Sequence, residues 1–299
     1  MGIPKTQGNL LSHGAMLLAM VLFGLMATFS KDAMNLGLTG PQVVAFRICG
    51  SAILFWIAAL FVPQQQVERR DFPKIALASL LGFVVAQGGY IVGLSMTSPI
   101  NATIELTIMP IFTLILAAII LRERITSRKA LGIAMGCIGA IVLVTMTTSR
   151  GDRAADFRGD IMVLLSQLGY ALYLTLCSSV IRKYNPFTFN KWTFTFASIV
   201  ILPLTCGDVL QIDWHALPVR AIAELGYIVV FSTFLTFLLV VYAQRRLSPT
   251  TVSSYNYLQP VVAVIASLIM GLAVLQWIHL AAAALIFTGV WLVVNARKG

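Results

Sequence analysis

The composition of this 299-residue chain excludes a soluble globular fold, because 59% of its residues are hydrophobic and only 11% are charged. Its formal net charge is +10, but the basic residues cluster at the ends of apolar runs, as the positive-inside rule expects of a membrane protein. We therefore expect a chain that lies in a lipid bilayer and has no nucleic-acid partner.

Apolar runs long enough to cross a bilayer as helices follow one another along the chain. They cover residues 10–33, 41–62, 73–95, 99–121, 127–147, 159–182, 186–206, 218–243, 249–271 and 276–296. Charged or turn-forming segments separate them, among them the arginine-rich 122–128 and the linker 149–158. The sequence predicts an all-α integral membrane protein with ten transmembrane helices.

The fourth and ninth runs belong to an internal duplication, which appears when the chain is aligned with itself without a gap. The matching pairs are Ser98/Ser248, Pro99/Pro249, Pro110/Pro260, Ile115/Ile265, Ile119/Ile269, Ala134/Ala284, Gly139/Gly289 and Val144/Val294. Pro110 and Pro260 lie in mid-span, where a missing N–H is expected to kink each helix. Kinked helices at corresponding positions of two repeats indicate the centre of function.

Five helices per repeat is an odd number, so the second repeat should enter the membrane upside down relative to the first. The predicted units are residues 1–148, an extracellular or periplasmic linker 149–158, and residues 159–299. With the N-terminus in the cytoplasm, most lysines and arginines fall on the cytoplasmic side. We expect both termini to be cytoplasmic and the protein to lie in the cell (inner) membrane.

Several motifs in this order are similar to one family. They are Phe23-Gly24 in the first span, Arg47 after Pro41 in the second, the paired Ser-Pro starts, Leu-Arg-Glu-Arg-Ile-Thr at 121–126, and Gly132, Gly136 and Gly139 in the fifth. The chain resembles EamA-type members of the drug/metabolite transporter superfamily. The family commonly has a Gly-Glu pair at the end of both the fourth and ninth spans, whereas this chain keeps Glu123 and has Ala273 at the matching position. The resemblance implies a secondary transporter that exports or exchanges small metabolites such as amino acids.

Two charged residues lie inside predicted spans. Arg47 and Glu105 are each six residues into spans that run in the same direction, so both should lie about 9 Å below the outer edge. A charge within a span costs at least about 2.5 kcal/mol and usually faces a wet cavity or a partner. Arg47 would bind a substrate carboxylate, and Glu105 would bind an amine or carry a proton. The alternative is an ion pair that only fixes helix packing.

Polar side chains form a stripe on each of the two duplicated helices. Asn101 and Glu105 share one face, and Thr251, Tyr255 and Gln259 share the corresponding face of the ninth span. In lipid these stripes should turn inward, either to line a cavity or to make interhelical hydrogen bonds.

Two further i, i+3 pairs could extend the same lining with aromatic walls. They are Gln87 with Tyr90 in the third span, and Tyr170 with Tyr173 in the sixth. Packing alone is the alternative explanation for each of the four.

The remaining chemistry of the chain is sparse. Its four cysteines and three histidines are scattered, so we expect no metal site, no cofactor and no enzyme activity. The expected partners are a small-molecule substrate and membrane lipid, with a proton as an open candidate for coupling and with monomer and homodimer both open. An integral-membrane enzyme or lipid-handling protein, or a channel, remains the alternative to a secondary transporter.

Overall fold

A computed structural model describes residues 5–63, 65–97, 102, 105–147, 157–269 and 277–296, and these ranges contain helices and turns but no strand. The prediction for Asn101 therefore lies outside the described residues. In chain order the helices are α1 (Lys5–Gly24, continued by Met26–Asn35), α2 (Gly40–Ala59), α3 (Arg69–Met96), α4 (Met109–Ile120), α5 (Ser127–Thr147), α6 (Phe157–Leu176, followed by the short helix Ser178–Lys183), α7 (Pro186–Leu210), α8 (Val219–Gln244), α9 (Pro249–Ser254, Tyr255–Tyr257 and Leu258–Ile269) and α10 (Trp277–Val294).

Within the described ranges, eight helices are long and apolar enough to cross a membrane. The other two predicted spans fall on α4, which has only 12 described residues, and on α9, which a 3₁₀ turn interrupts. Large apolar side chains such as Phe61, Ile119 and Leu204 are exposed on the outer faces, where lipid replaces water as the solvent. The protein is an all-helical, multi-pass membrane protein, as its composition predicts.

Turn chemistry fixes where several helices begin. The hydroxyl of Thr39 accepts the backbone N–H of Gln42, whose side chain in turn accepts the backbone N–H of Thr39. The side chain of Asn185 accepts the backbone N–H of Thr188 at the start of α7, and that of Ser248 accepts the backbone N–H of Thr251 at the start of α9, each directly before a proline. These caps satisfy backbone donors that no intrahelical partner reaches.

Three helices contain an internal π-helical segment, in which the backbone hydrogen bonds widen to i, i+5. The segments are Phe46–Gly50 in α2, Leu80–Gly88 in α3 and Val230–Leu235 in α8. A π segment shifts the faces of the helix on either side of it and often occurs at functional sites.

Regular α-helical bonding is interrupted just before each duplicated proline. Thr107 and Ile108 form a turn before Pro110, and Tyr255–Tyr257 forms a 3₁₀ turn before Pro260. A proline cannot donate to the carbonyl four residues earlier, which loosens the preceding turn. A bend of the helix axis at Pro110 and Pro260 stays a prediction.

Glycines bring α5 and α10 into backbone contact. A Cβ placed on Gly132 would lie 2.6 Å from the carbonyl oxygen of Gly289, and one on Gly139 would lie 2.9 Å from that of Ala282. Because the later residue of α5 meets the earlier residue of α10, the two helices run antiparallel. The glycine spacing of the fifth span therefore serves packing within the chain.

The other main contacts also join the first five helices to the last five. α1 packs on α8 and α9, α6 packs on α3 and α4, and α2 packs on α7. The interior of the molecule, where the π segments of α2, α3 and α8 lie, is thus formed by both parts of the chain.

Candidate functional site

A fully buried arginine lies at the centre of this interior. Arg47, in the π segment of α2, has no solvent exposure. Its Nε donates to Thr233 Oγ1 of α8 at 2.8 Å, and its Nη2 donates to Gln87 Oε1 of α3 at 2.6 Å. The guanidinium carbon lies 5.8 Å from the centroid of the Phe23 ring in α1, within cation–π range.

Each hydrogen-bonded member of this group comes from a π segment, so the widened turns of three helices present their polar side chains to one another. The remaining guanidinium nitrogen of Arg47, Nη1, is buried and has no hydrogen-bond partner among the described residues. A buried cationic donor without a partner is costly. The arrangement could bind an anionic group.

A small cavity lies next to Gln87, which binds Arg47, although Arg47 itself does not line it. Gln87 lines it together with Tyr90, Tyr170 and Gln259, so the structure brings together four of the residues predicted from sequence. The other residues that line it are Phe23, Met26, Ala86, Leu106, Met109, Ser166, Gln167 and Asn256. Its volume is ≈ 40 Å³, which holds a few water molecules. We call it the central cavity.

The duplicated helices contribute to the central cavity at matching positions. In the ungapped alignment Leu106 corresponds to Asn256, and Met109 corresponds to Gln259; all four line the cavity. The amide of Gln259 donates to Asn256 Oδ1 at 2.6 Å. One repeat thus presents apolar side chains and the other presents a pair of amides.

Glu105 lies directly before Leu106 of the cavity wall. Its side chain is buried, and its Oε2 has no hydrogen-bond partner among the described residues. Within the described part of the chain, no ion pair joins it to Arg47, whose partners are Gln87 and Thr233. The packing ion pair considered as an alternative is therefore not what holds Arg47.

Five of the described predicted residues do not line the central cavity: Arg47 and Glu105, which each adjoin a lining residue, and Tyr173, Thr251 and Tyr255. Tyr173 stacks on Tyr170 with ring centroids 5.4 Å apart, and its hydroxyl is 3.4 Å from Gln244 Oε1. Tyr255 bonds to His13 Nδ1 at 2.7 Å, while Thr251 lines a separate pocket where α9 begins. The predicted stripe of Thr251, Tyr255 and Gln259 is therefore not continuous. In the 3₁₀ turn at 255–257 side chains three residues apart lie on one face, so Asn256 shares the cavity face with Gln259 in place of Tyr255.

Sequence reasoning also missed Thr233, the acceptor of the Arg47 Nε bond. Thr233 is 1% exposed and sits in a run with Ser232 and Thr236, inside an otherwise apolar span. That polar run was a visible signal. Nothing in the periodicity showed that π-helical winding would direct Thr233 toward Arg47.

Polar networks close both ends of the molecule. At one end, Lys129 pairs with Glu123 at 3.1 Å, and the same carboxylate oxygen accepts the hydroxyl of Thr250 in α9. We call this the Glu123 end. At the opposite end, which we call the Arg220 end, Arg220 of α8 pairs with Asp32 of α1 and with Glu224.

Lys183 joins α6 to the start of α3 at the Glu123 end. Its ammonium is 2.6 Å from Asp71 Oδ2 and 2.5 Å from Glu68 Oε1. Hydrogen bonding from Lys183 and Arg70 lowers the pKa of Glu68, and the two carboxylates raise the pKa of Lys183. At the Arg220 end, the hydroxyl of Thr97, directly after α3, donates to the carboxylate of Asp160 in α6. Interactions between the two parts of the chain thus occur on both sides of the central cavity.

No group of three or more His, Cys, Asp or Glu side chains that could hold a metal ion occurs in the described ranges. The polar groups around the central cavity can supply hydrogen bonds, one buried cation and one buried carboxyl group. These groups suit the recognition of a small molecule.

Known proteins resemble this chain over nearly its whole length. The EamA-like transporter family matches residues 10–145 and 157–295. A protein of Archaeoglobus fulgidus described as an uncharacterized transporter is 27% identical over 94% of this chain and 97% of its own. A probable terminal-alkyne amino-acid exporter of Streptantibioticus cattleyicolor is 25% identical over 79% of each chain.

More distant likenesses agree with these. A WAT1-related protein of Arabidopsis thaliana is 23% identical over 84% of this chain and 69% of its own. One crystal structure superposes with a TM-score of 0.75 at 16% identity, covering 96% of each chain, and so shares the fold. The chain belongs to the EamA-like transporter family of the drug/metabolite transporter superfamily, and it is a membrane transporter of a small molecule rather than an enzyme.

Proposed function

We propose that the protein is a secondary transporter that exports or exchanges amino acids or closely related metabolites by alternating access around the central cavity. Its ten spans form two inverted five-helix repeats, residues 1–148 and 159–299, with the linker 149–158 outside. The protein lies in the inner membrane, and both termini and the Glu123 end face the cytoplasm.

Helix packing supports the inverted repeat. If each residue is replaced by its equivalent in the other repeat, 150 positions away, α5 and α10 exchange places. The contact of Gly132 with Gly289 then becomes the contact of Ala282 with Gly139, which is also present. The pairing of α1 with α8 and α9 likewise becomes that of α6 with α3 and α4. Such an exchange of partners is expected of a two-fold axis in the membrane plane.

One observation carries the substrate assignment: Arg47, which Gln87 of the central cavity wall holds in place, has a buried Nη1 without a partner among the described residues. A carboxylate is the natural ligand for a guanidinium already fixed by Gln87 and Thr233. Glu105, whose Oε2 is also unpartnered within the described ranges, would take the ammonium group. A buried cation and a buried carboxyl group near one cavity suit a zwitterion.

The remaining cavity residues would complete the recognition of an amino acid. Tyr90 and Tyr170 offer aromatic walls, and Asn256 and Gln259 offer amides. We propose that Tyr173, Thr251, Tyr255 and Asn101 line the path to the cavity, and that Pro110 and Pro260 allow its helices to bend. With ≈ 40 Å³ of space, the central cavity must widen to admit an amino acid.

The proposal is tested with purified protein in proteoliposomes. Counterflow of radiolabelled amino acids is measured beside counterflow of the amines that lack only the carboxylate. We expect at least one amino acid to be transported and its matching amine to be rejected. Transport of the amine at the rate of the amino acid, or of no amino acid in a full panel, would refute the substrate assignment.

A further inference from the structure

A second cavity, which shares no lining residue with the central one but includes Thr251 of the proposed path, lies at the Glu123 end. It has a volume of ≈ 310 Å³ and is lined by four basic side chains, Arg124, Lys129, Arg182 and Arg246, and by one acidic side chain, Glu123. We call it the basic pocket. It lies among the starts of α1, α5 and α9 and the ends of α6, α8 and α10, and so opens at the edge of the membrane.

The single carboxylate does not neutralise this pocket. Glu123 is bound to Lys129, whose side chain is only 9% exposed, and to Thr250. Arg124, Arg182 and Arg246 form no ion pair within the described residues: Arg182 donates only to the carbonyl oxygen of Leu247 at 3.5 Å. Three guanidinium groups are thus left to attract an anion.

An apolar groove of ≈ 670 Å³ adjoins the basic pocket on the lipid-facing surface. It runs between α1 and α8 and is lined by Leu11, Leu18, Leu238 and Leu239, with Tyr242 and Arg245 toward the end of α8. We call it the apolar groove. Leu11 is 53% exposed and Leu18 is 48% exposed, so the groove is an open depression of hydrocarbon character.

Arg246 connects the two cavities. It lines the basic pocket, and its guanidinium carbon lies 4.7 Å from the centroid of the Tyr242 ring, which lines the apolar groove. Cationic groups at the membrane edge followed by an apolar channel match the two parts of one molecule, an anionic headgroup and an acyl chain.

We propose that these cavities form a specific site for an anionic phospholipid. Its phosphate is bound by Arg182 and Arg246, with Arg124 adding charge, and one acyl chain lies in the apolar groove against α1 and α8. A soluble phosphate would use the pocket but leave the groove unused. The lipid proposal is separate from the substrate assignment, because Arg124, Arg182 and Arg246 neither line the central cavity nor belong to its proposed path.

The test measures lipid binding to the purified protein in a neutral detergent, by native mass spectrometry and by the shift in melting temperature. Phosphatidylglycerol is compared with phosphatidylcholine of the same acyl chains, and glycerol 3-phosphate serves as the soluble anion. We expect phosphatidylglycerol to bind about tenfold more tightly than phosphatidylcholine, and glycerol 3-phosphate to leave the melting temperature unchanged.

The variants separate headgroup from chain. Replacing Arg182 and Arg246 together by glutamine (R182Q/R246Q) should remove the preference for phosphatidylglycerol, and Arg246→Gln alone should reduce it. Arg128→Gln removes an exposed charge of the same end that lines neither cavity, and should keep the preference. Gly14 lines the groove, and a Cβ added to it would have nothing within 4 Å. Gly14→Phe should therefore fill the groove and weaken the binding of both lipids.

Several results would overturn the proposal. Equal binding of the two lipids by the unmodified protein would do so, as would a preference that survives in R182Q/R246Q or is lost equally in Arg128→Gln. Displacement of phosphatidylglycerol by glycerol 3-phosphate at equal concentration would assign the pocket to a soluble anion. Unchanged lipid affinity in a folded Gly14→Phe variant would show that the acyl chain does not lie in the groove.

Discussion

Thr233 holds Arg47 in place, and replacing it by valine tests how much that hydrogen bond contributes. Valine keeps the shape of threonine but removes the oxygen that accepts Arg47 Nε at 2.8 Å. It also removes the hydroxyl that donates to the carbonyl oxygen of Ile228 at 2.8 Å. The first loss leaves a fully buried cationic donor without its acceptor, which is the costlier of the two.

Thr236 supplies the matched control. It is equally buried in the same helix, and its hydroxyl donates to the carbonyl oxygen of Phe231 at 2.9 Å, again five residues earlier. Thr236→Val therefore loses the backbone contact alone. The difference between the two variants isolates the bond to Arg47.

The expected difference in the free energy of unfolding is about 1.5 kcal/mol, roughly tenfold in the folded-to-unfolded ratio, since hydrogen bonds to charged groups lie at the upper end of the range. It is measured by detergent-induced unfolding in mixed micelles. In an Arg47→Met background, Thr233→Val should destabilise no more than Thr236→Val. Equal destabilisation by the two valine variants in the unmodified protein would refute the reasoning.

Three further predictions concern packing, charge and topology. Gly132→Ala should lower the free energy of unfolding by about 1–3 kcal/mol, because its Cβ would lie 2.6 Å from a carbonyl oxygen, while Gly14→Ala, in open space, should not; similar melting temperatures would contradict this. Glu68→Gln should destabilise the protein at pH 7, and this loss of stability relative to the unmodified protein should vanish as the pH falls through the lowered pKa of Glu68. A loss of stability that does not change with pH would exclude the ion pair as its cause. Cysteines replacing Arg124 and Asp213 should be labelled from opposite sides of the membrane, and labelling from one side would overturn the topology.

The sequence was sufficient to predict the helical architecture, because hydropathy and turn chemistry act locally. Caps at Thr39, Asn185 and Ser248 begin helices close to the expected positions. The duplication pointed to α4 and α9, and residues of both line the central cavity.

The details of the cavity lining could not be read from the sequence. Helical periodicity assumes 3.6 residues per turn, whereas the segments that hold Arg47, Gln87 and Thr233 are π-helical. Likewise the 3₁₀ turn at 255–257 exchanges Tyr255 for Asn256 on the cavity face. Such local changes of winding carry no signal in the helical periodicity of the sequence.

The central claim is that Arg47 binds the carboxylate of the substrate. The most direct measurement is the ratio of affinities for an amino acid and for its carboxamide, in the unmodified protein and in Arg47→Gln, with melting temperature as the check of folding. The unmodified protein should prefer the amino acid by about 100-fold, and the folded variant should bind the two ligands almost equally. A variant that keeps the full preference would show that the carboxylate is recognised elsewhere.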